Sequence, residues 1–206
     1  MSKERVGAMK GDALLLISIL LDIKNSVAIL LKEKHKAPAL INLYIFFDIC
    51  ASLARERKMG NGDTFKSYVQ KCMTTKREYT PDELWSARCS VVHAFSLSGD
   101  SHAKAKGQER AFYYYHYPET KTLALQLMKE QGKSDYLPVD IDDLYHDAIW
   151  CFNELHRRIG EDSAFCEIFI SNGRDIVKDS HYVALTRFLR SVDEMQNDTV
   201  PEGEMR

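Results

Sequence analysis

The sequence predicts a mainly α-helical protein, in which an antiparallel bundle of four to five helices is followed by a C-terminal helical extension and a small β-hairpin. Three observations lead to this prediction. Apolar residues recur at helical spacing along the first hundred residues, short connections join the segments that they define, and one segment opens with a complete helix-capping signal.

Length and composition favour a single domain. The chain has 206 residues, of which 45% are hydrophobic and 28% are charged, and this is enough to enclose one core. We expect one helical domain at residues 1–195, with its core at about 12–100 and its extension at about 101–195. Residues 196–206 are predicted to form a flexible tail.

The first three helices of the bundle are predicted from apolar periodicity. The first covers residues 12–34 after a polar lead-in, and the second runs from Pro38 to about residue 58, where the turn sequence GNGD stops it. The third is short and covers residues 64–73.

The fourth helix has the clearest signal. It covers residues 80–97 and reads TPDELWSARCSVVHAFSL. Thr80 can cap the helix, Pro81 suits the first helical position, and Glu83 completes a capping box.

The extension begins with the polar, basic loop SLSGDSHAKAKGQER. Strands at 112–117 and 122–128, on either side of the turn PET, predict a β-hairpin. Helices then follow at 140–159, where Gly160 is the stop signal, and at 162–177 and 180–195.

Charge and cysteine usage limit the function classes. The net charge of −2 supplies no global positive field, so RNA binding would have to be local or shared across an oligomer. The five cysteines are odd in number and scattered, which favours buried thiols in a reducing compartment. We therefore predict a cytoplasmic protein.

The run at 13–21 resembles the apolar part of a signal peptide, because a basic start precedes nine apolar residues. However, Asp22, Lys24 and Asn25 follow at once, and no small-x-small cleavage site is present. The run is also too short to span a bilayer. We interpret it as a buried helix and expect no membrane association.

Familiar catalytic motifs are absent: the sequence has no GxGxxG, phosphate loop, HExxH or GxSxG. Asp140, Asp142, Asp143 and His146 could ligate a metal, but the same acids suit a helix cap, which is the interpretation we favour. The aromatic run at 112–117 could stack bases, although packing of a strand on helices is favoured. We expect no metal and no cofactor.

Arg88 is misplaced in the fourth helix. At about 100° per residue, it falls near the middle of an apolar arc, whereas His93 falls on an opposite polar ribbon with Ser86 and Ser90. A guanidinium on an apolar face needs a partner, a ligand or an interface, because it cannot lose its charge. A structural explanation is an ion pair with Asp48, which interrupts the apolar middle of the second helix.

The segment LWSARCSVVHAFS and the helices before it resemble the HEPN superfamily (higher eukaryotes and prokaryotes nucleotide-binding). The hallmark of that superfamily is an arginine followed, after four to six residues, by a histidine on a late helix of a four- or five-helix bundle. The resemblance covers the architecture of about residues 12–100 and, in motif, Arg88 and His93. Many members carry a polar residue after the arginine, where this chain has Cys89.

The resemblance implies a metal-independent endoribonuclease of the toxin–antitoxin or antiviral type. Such an enzyme would be a homodimer with its motif helices at the two-fold axis, and a neutralising antitoxin protein would be its partner. His93 would be the general acid/base on RNA, and Arg88 would stabilise the scissile phosphate. Helix positions five apart diverge by about 140°, so either a site assembled from two chains or a helix distorted near His93 is expected.

Three more residues are candidates for substrate binding. Ser90 could orient phosphate or water, and Lys104 and Lys106, with Arg110 nearby, could contact the RNA backbone. The plain alternatives are a surface serine and a solvated loop. The competing function is a non-catalytic, HEPN-like dimeric binding module in which Arg88 is an interface residue.

Overall fold

The computed structural model describes residues 3–73, 77–94, 110–133 and 136–179, and side chains within 12–73, 77–92, 110–117, 119–133 and 136–174. The described chain is mainly helical, as predicted. Its elements, in order, are α1 (Lys3–Lys32), α2 (Lys36–Leu53), α3 (Asn61–Cys72), α4 (Pro81–Ala94), β1 (Phe112–Tyr115), α5 (Lys121–Glu130), β2 (Leu137–Asp140), α6 (Ile141–Glu161) and α7 (Ser163–Asp179).

Helix α2 lies at the centre of the fold, where it packs against α1, α3, α4, α6 and α7. Its sequence, KAPALINLYIFFDICASL, carries apolar residues on nearly all sides, so several neighbours can bury it at once. Phe46 packs on Phe152 of α6, and Phe47 packs on Phe65 of α3. The core therefore surrounds α2.

The boundaries of three helices differ from the predicted ones. Helix α1 begins at Lys3, so the polar lead-in is helical, and α2 ends at Leu53. The GNGD sequence does not end α2, because its last three residues form the first turn of α3. A Cβ on Gly62 would lie 3.1 Å from the indole of Trp85, so this glycine permits close packing of α3 on α4. The helix predicted at 180–195 lies outside the described residues.

Helices α1 and α2 contain two stretches, Asp12–Lys32 and Lys36–Leu53, that are long and apolar enough to cross a membrane by length and composition alone. Buried core helices and N-terminal signal sequences pass the same test. Half of the apolar segment of α2 is buried in the fold, but only 22% of the apolar segment of α1 is buried. In α1, Leu20 and Val27 are buried, whereas Leu14 and Ile29 are 66% and 61% exposed. The expectation of a buried first helix thus holds for one face only.

The predicted β-hairpin is wrong. Strand β1 forms where expected, but residues 121–130 are helix α5, and β1 pairs in parallel with β2, in the register Phe112↔Leu137 to Tyr115↔Asp140. Parallel strands need a crossover, which α5 provides. The alternating leucines of TLALQLMK imitate a strand, but Ala124 and Met128, four residues apart, are the buried pair.

Candidate active site

Helix α4 begins with the predicted capping box. The Thr80 N–H donates to Glu83 Oε2 at 2.8 Å, and the Glu83 N–H donates to Thr80 Oγ1 at 3.2 Å. Two backbone donors at the start of the helix are thereby satisfied. The local sequence thus positions the first turn of the helix that carries Arg88.

Glu83 has a second role that joins α4 to β1. Arg110, two residues before β1, donates from Nε to Glu83 Oε1 at 2.7 Å. Burial alone would raise the pKa of Glu83, but the hydrogen bonds from Arg110 and from the Thr80 N–H outweigh it and lower that pKa below its ordinary value. Arg110 was expected to add charge for RNA, but Glu83 neutralises it.

An unforeseen cluster holds the segment that leads into α4. Asp147 of α6 is 3% exposed, and it accepts hydrogen bonds from Arg77 Nε at 2.8 Å, Arg77 Nη2 at 2.7 Å and the Tyr79 hydroxyl at 2.6 Å. Burial and the Asp147 carboxylate raise the pKa of Tyr79, so its hydroxyl stays a donor. In the sequence, Asp147 is recognisable only as an acid among the apolar residues of α6. Nothing in the sequence identifies Arg77 or Tyr79 as its partners.

Arg88 makes the ion pair with Asp48 that was proposed as its structural explanation. Its Nε donates to Asp48 Oδ2 at 2.6 Å, and Nη2 also pairs with that oxygen. The guanidinium carbon lies 5.0 Å from the centre of the Trp85 ring, a cation–π contact. The exposed fractions of the Arg88 and Asp48 side chains are 15% and 23%. The guanidinium is therefore fixed, but it is not sealed from solvent.

His93 lies near the C-terminal end of α4, and its side chain is outside the described part of the structure. Since α4 is continuous from Pro81 to Ala94, the backbone positions of Arg88 and His93 are about 140° apart around the helix axis. The catalytic pairing of Arg88 with His93 stays a prediction.

Ser90 is buried, so the alternative interpretation of it as a surface serine is wrong. Ser86 and Ser90 are 4% and 0% exposed, and the Ser90 hydroxyl donates to the Ser86 carbonyl at 3.2 Å. Helix α4 is packed on more of its circumference than the helical wheel indicated. Its surroundings hold Ser90 away from solvent, and its role in substrate binding stays a prediction. Lys104 and Lys106 lie outside the described residues.

The acids at the start of α6 act as the predicted cap. Asp140 Oδ1 accepts from the Asp142 N–H at 3.0 Å, Asp142 Oδ1 lies 3.1 Å from His116 Nε2, and Asp143 pairs with Arg77 at 3.1 Å. In the described ranges, no group of three or more His, Cys, Asp or Glu side chains could hold a metal ion. The sequence did not single out His116, which is 3% exposed.

The described site offers one well-positioned cation, Arg88. A guanidinium whose orientation is set by a carboxylate and an indole ring suits recognition of a phosphate, because less side-chain freedom is lost when the anion binds. The same carboxylate neutralises its charge, so the described residues add little attraction for a distant anion.

No protein-family model, curated protein or solved structure matches this chain.

Proposed function

We propose that the protein is a metal-independent endoribonuclease of the toxin–antitoxin or antiviral type, with an HEPN-like antiparallel bundle that is active as a cytoplasmic homodimer. The observation that supports this most is Arg88. Its guanidinium is fixed by Asp48 and Trp85 on α4, its side chain keeps 15% exposure, and His93 follows five residues later.

The proposed reaction needs only these residues and RNA. His93 takes the proton of the 2′-hydroxyl or gives one to the leaving 5′-oxygen. Arg88 stabilises the extra negative charge that develops on the scissile phosphate. Attack by the 2′-oxygen breaks the bond between phosphorus and the 5′-oxygen, and it leaves a 2′,3′-cyclic phosphate and a 5′-hydroxyl.

The divergence of Arg88 and His93 around α4 supports a composite site. With two α4 helices at a two-fold axis, Arg88 of one protomer can lie beside His93 of the other. Lys104 and Lys106 would then line the RNA path from the loop after α4. An antitoxin protein would neutralise such an enzyme.

The test is incubation of the purified protein with a mixed RNA pool in EDTA, followed by mapping of the fragment ends. We compare the wild type with His93→Ala, Arg88→Lys and, as a control, Lys129→Gln. The lysine variant retains a charge beside Asp48 while it loses the guanidinium fork. Melting temperatures of all four proteins verify that each is folded.

Cleavage by the wild type should leave cyclic phosphates, and His93→Ala should be slower by about 100-fold or more. Arg88→Lys should also be slower, whereas Lys129→Gln, which removes an exposed charge on α5, should retain wild-type activity. Equal cleavage by the wild type, His93→Ala and Arg88→Lys would reject the proposal, because it would indicate a contaminant or another site.

The second candidate is a non-catalytic dimeric binding module, and the Arg88–Asp48 pair favours it, since an arginine balanced by a carboxylate needs no substrate. In that case, His93→Ala would preserve both dimerisation and the biological effect. No RNA cleavage by the folded wild-type dimer would also support this candidate.

A further inference from the structure

A cavity of about 330 Å³ lies between the end of α2 and helices α3, α6 and α7. Its volume falls in the range of small-molecule sites. None of its lining residues belongs to α4, so it is separate from the Arg88 site.

The lining of the cavity is positively charged. It contains two acidic side chains, Glu56 and Glu154, and four basic ones, Arg55, Arg57, Lys71 and Arg158, which leaves an excess of two positive charges.

Both glutamates of the cavity lining already form ion pairs. Glu56 pairs with Arg158 at 3.0 Å and with Lys71 at 4.0 Å, and Glu154 pairs with Arg157 at 2.6 Å. Among the described residues, no carboxylate forms an ion pair with Arg55 or Arg57. These two guanidiniums are therefore the groups that an anion in the cavity would meet.

A buried hydroxyl in the wall also lacks a partner. Thr64 is 7% exposed, and its Oγ1 is buried without a hydrogen bond to any described residue. Buried polar groups are nearly always hydrogen-bonded. Tyr68, beside it, is already satisfied, because its hydroxyl donates to the Cys151 carbonyl at 2.7 Å. The wall thus retains one unused donor, at Thr64.

The walls are held in place by contacts from α7. The side-chain amide of Asn172 donates to the carbonyls of Leu53 and Arg55 at 3.0 and 2.8 Å, which fixes the backbone that carries Arg55. Phe165 supports the Arg158 guanidinium, whose carbon lies 3.8 Å from the ring centre. These contacts fix the backbone at Arg55 and the guanidinium of Arg158, which form two parts of the cavity wall.

We propose that this cavity binds a small organic phosphate. Arg55 and Arg57 take the phosphate oxygens, since guanidinium forks match phosphate geometry and two uncompensated charges match a dianion. The Thr64 hydroxyl donates to the same group after a rotation about χ1 turns its buried Oγ1 towards the cavity. The organic part of the ligand lies against apolar wall residues, which include Ala51, Ala54 and Leu155.

Calorimetric titration with four probes tests the chemistry of the ligand. Phenyl phosphate, benzoate and phenol share a ring and differ in the head group, and inorganic phosphate lacks the ring. We expect phenyl phosphate to bind at least about tenfold more tightly than each of the other three. Equal binding of benzoate would overturn the choice of phosphate, and no heat from phenyl phosphate up to about 10 mM would overturn the site.

Variants locate the binding. The Arg55→Gln/Arg57→Gln double variant removes the two charges, Thr64→Val removes the hydroxyl at nearly constant shape, and Lys129→Gln removes one exposed charge from the distant helix α5. The double variant should weaken phenyl phosphate binding by about 100-fold and Thr64→Val by several-fold, whereas Lys129→Gln should change it by less than twofold.

Thermal unfolding shows that each variant is folded before its titration is interpreted. If the folded double variant binds phenyl phosphate as tightly as the wild type, the ligand lies elsewhere and the proposal is wrong. Because none of the substituted residues belongs to α4, this result is distinguishable from that of the RNA-cleavage test.

Discussion

Two arginines around α4 are paired with carboxylates, whereas two of the four basic residues that line the cavity form no ion pair with a described carboxylate. At α4, Arg88 meets Asp48 and Arg110 meets Glu83, so each guanidinium has a carboxylate. At the cavity, Arg55 and Arg57 have no such partner among the described residues. An arginine that is paired with a carboxylate is costly to leave without that carboxylate, whereas an arginine without such a partner beside a cavity is suited to a ligand.

The largest effect should follow from breaking the pair at α4. Asp48→Ala leaves the Arg88 guanidinium partly buried without this carboxylate, and we expect the free energy of unfolding to fall by about 3 kcal/mol. Urea unfolding at pH 7 measures the change. A loss below about 0.5 kcal/mol would show that the pair is energetically equivalent to an exposed salt bridge.

The matched control for this prediction is the Asp48→Leu/Arg88→Met double variant. Replacing both charges by apolar side chains of similar size removes the guanidinium that Asp48→Ala leaves behind, so the double variant should be more stable than Asp48→Ala. If it is less stable, packing rather than charge compensation determines the effect.

A smaller loss is expected at the start of the same helix. Glu83→Gln weakens both the capping box and the Arg110 contact, and it should cost about 2 kcal/mol at pH 7. The pKa of Glu83 is lowered in the folded protein, so its contribution is present above the ordinary glutamate pKa and is lost as the pH falls through the folded value. The stability difference between the two proteins should therefore shrink in acid, as unfolding curves between pH 7 and pH 3 would show. A difference that stays constant with pH would contradict this origin.

The smallest effect is expected at the cavity. Arg57→Ala removes a charge that has no partner among the described carboxylates, so the free energy of unfolding should change by less than about 0.5 kcal/mol. The same urea experiment checks it. A large loss would place Arg57 in the same class as Arg88 and would remove the contrast between the two regions.

Two features of the site could be predicted, one because it depends on neighbouring residues and the other because a buried charge requires a partner. The capping box joins Thr80 to Glu83, three residues apart, so the residue types alone indicate it. The need of Arg88 for a partner follows from its place on an apolar arc, and Asp48 could be named because it interrupts an apolar helix in the same way.

Other features could not be read from local patterns. The burial of Ser90 and the Asp147 cluster depend on which helices surround α4, and the sequence of α4 does not contain that information. The cavity is similar, since it forms where Arg55 and Thr64 meet residues of α6 and α7, about a hundred positions away.

What the sequence determined by itself was the helical character, the start of α4 and the requirement that Arg88 be compensated, because these follow from periodicity, capping chemistry and a charge that cannot be neutralised. Only the tertiary structure decided that α2 is central, that β1 pairs in parallel with β2, and which arginines are balanced. Helix α5 shows the physical reason: alternating leucines fit a strand, but burial of Ala124 and Met128 depends on distant partners. Packing energy between segments far apart in sequence exceeds the small local preferences within each.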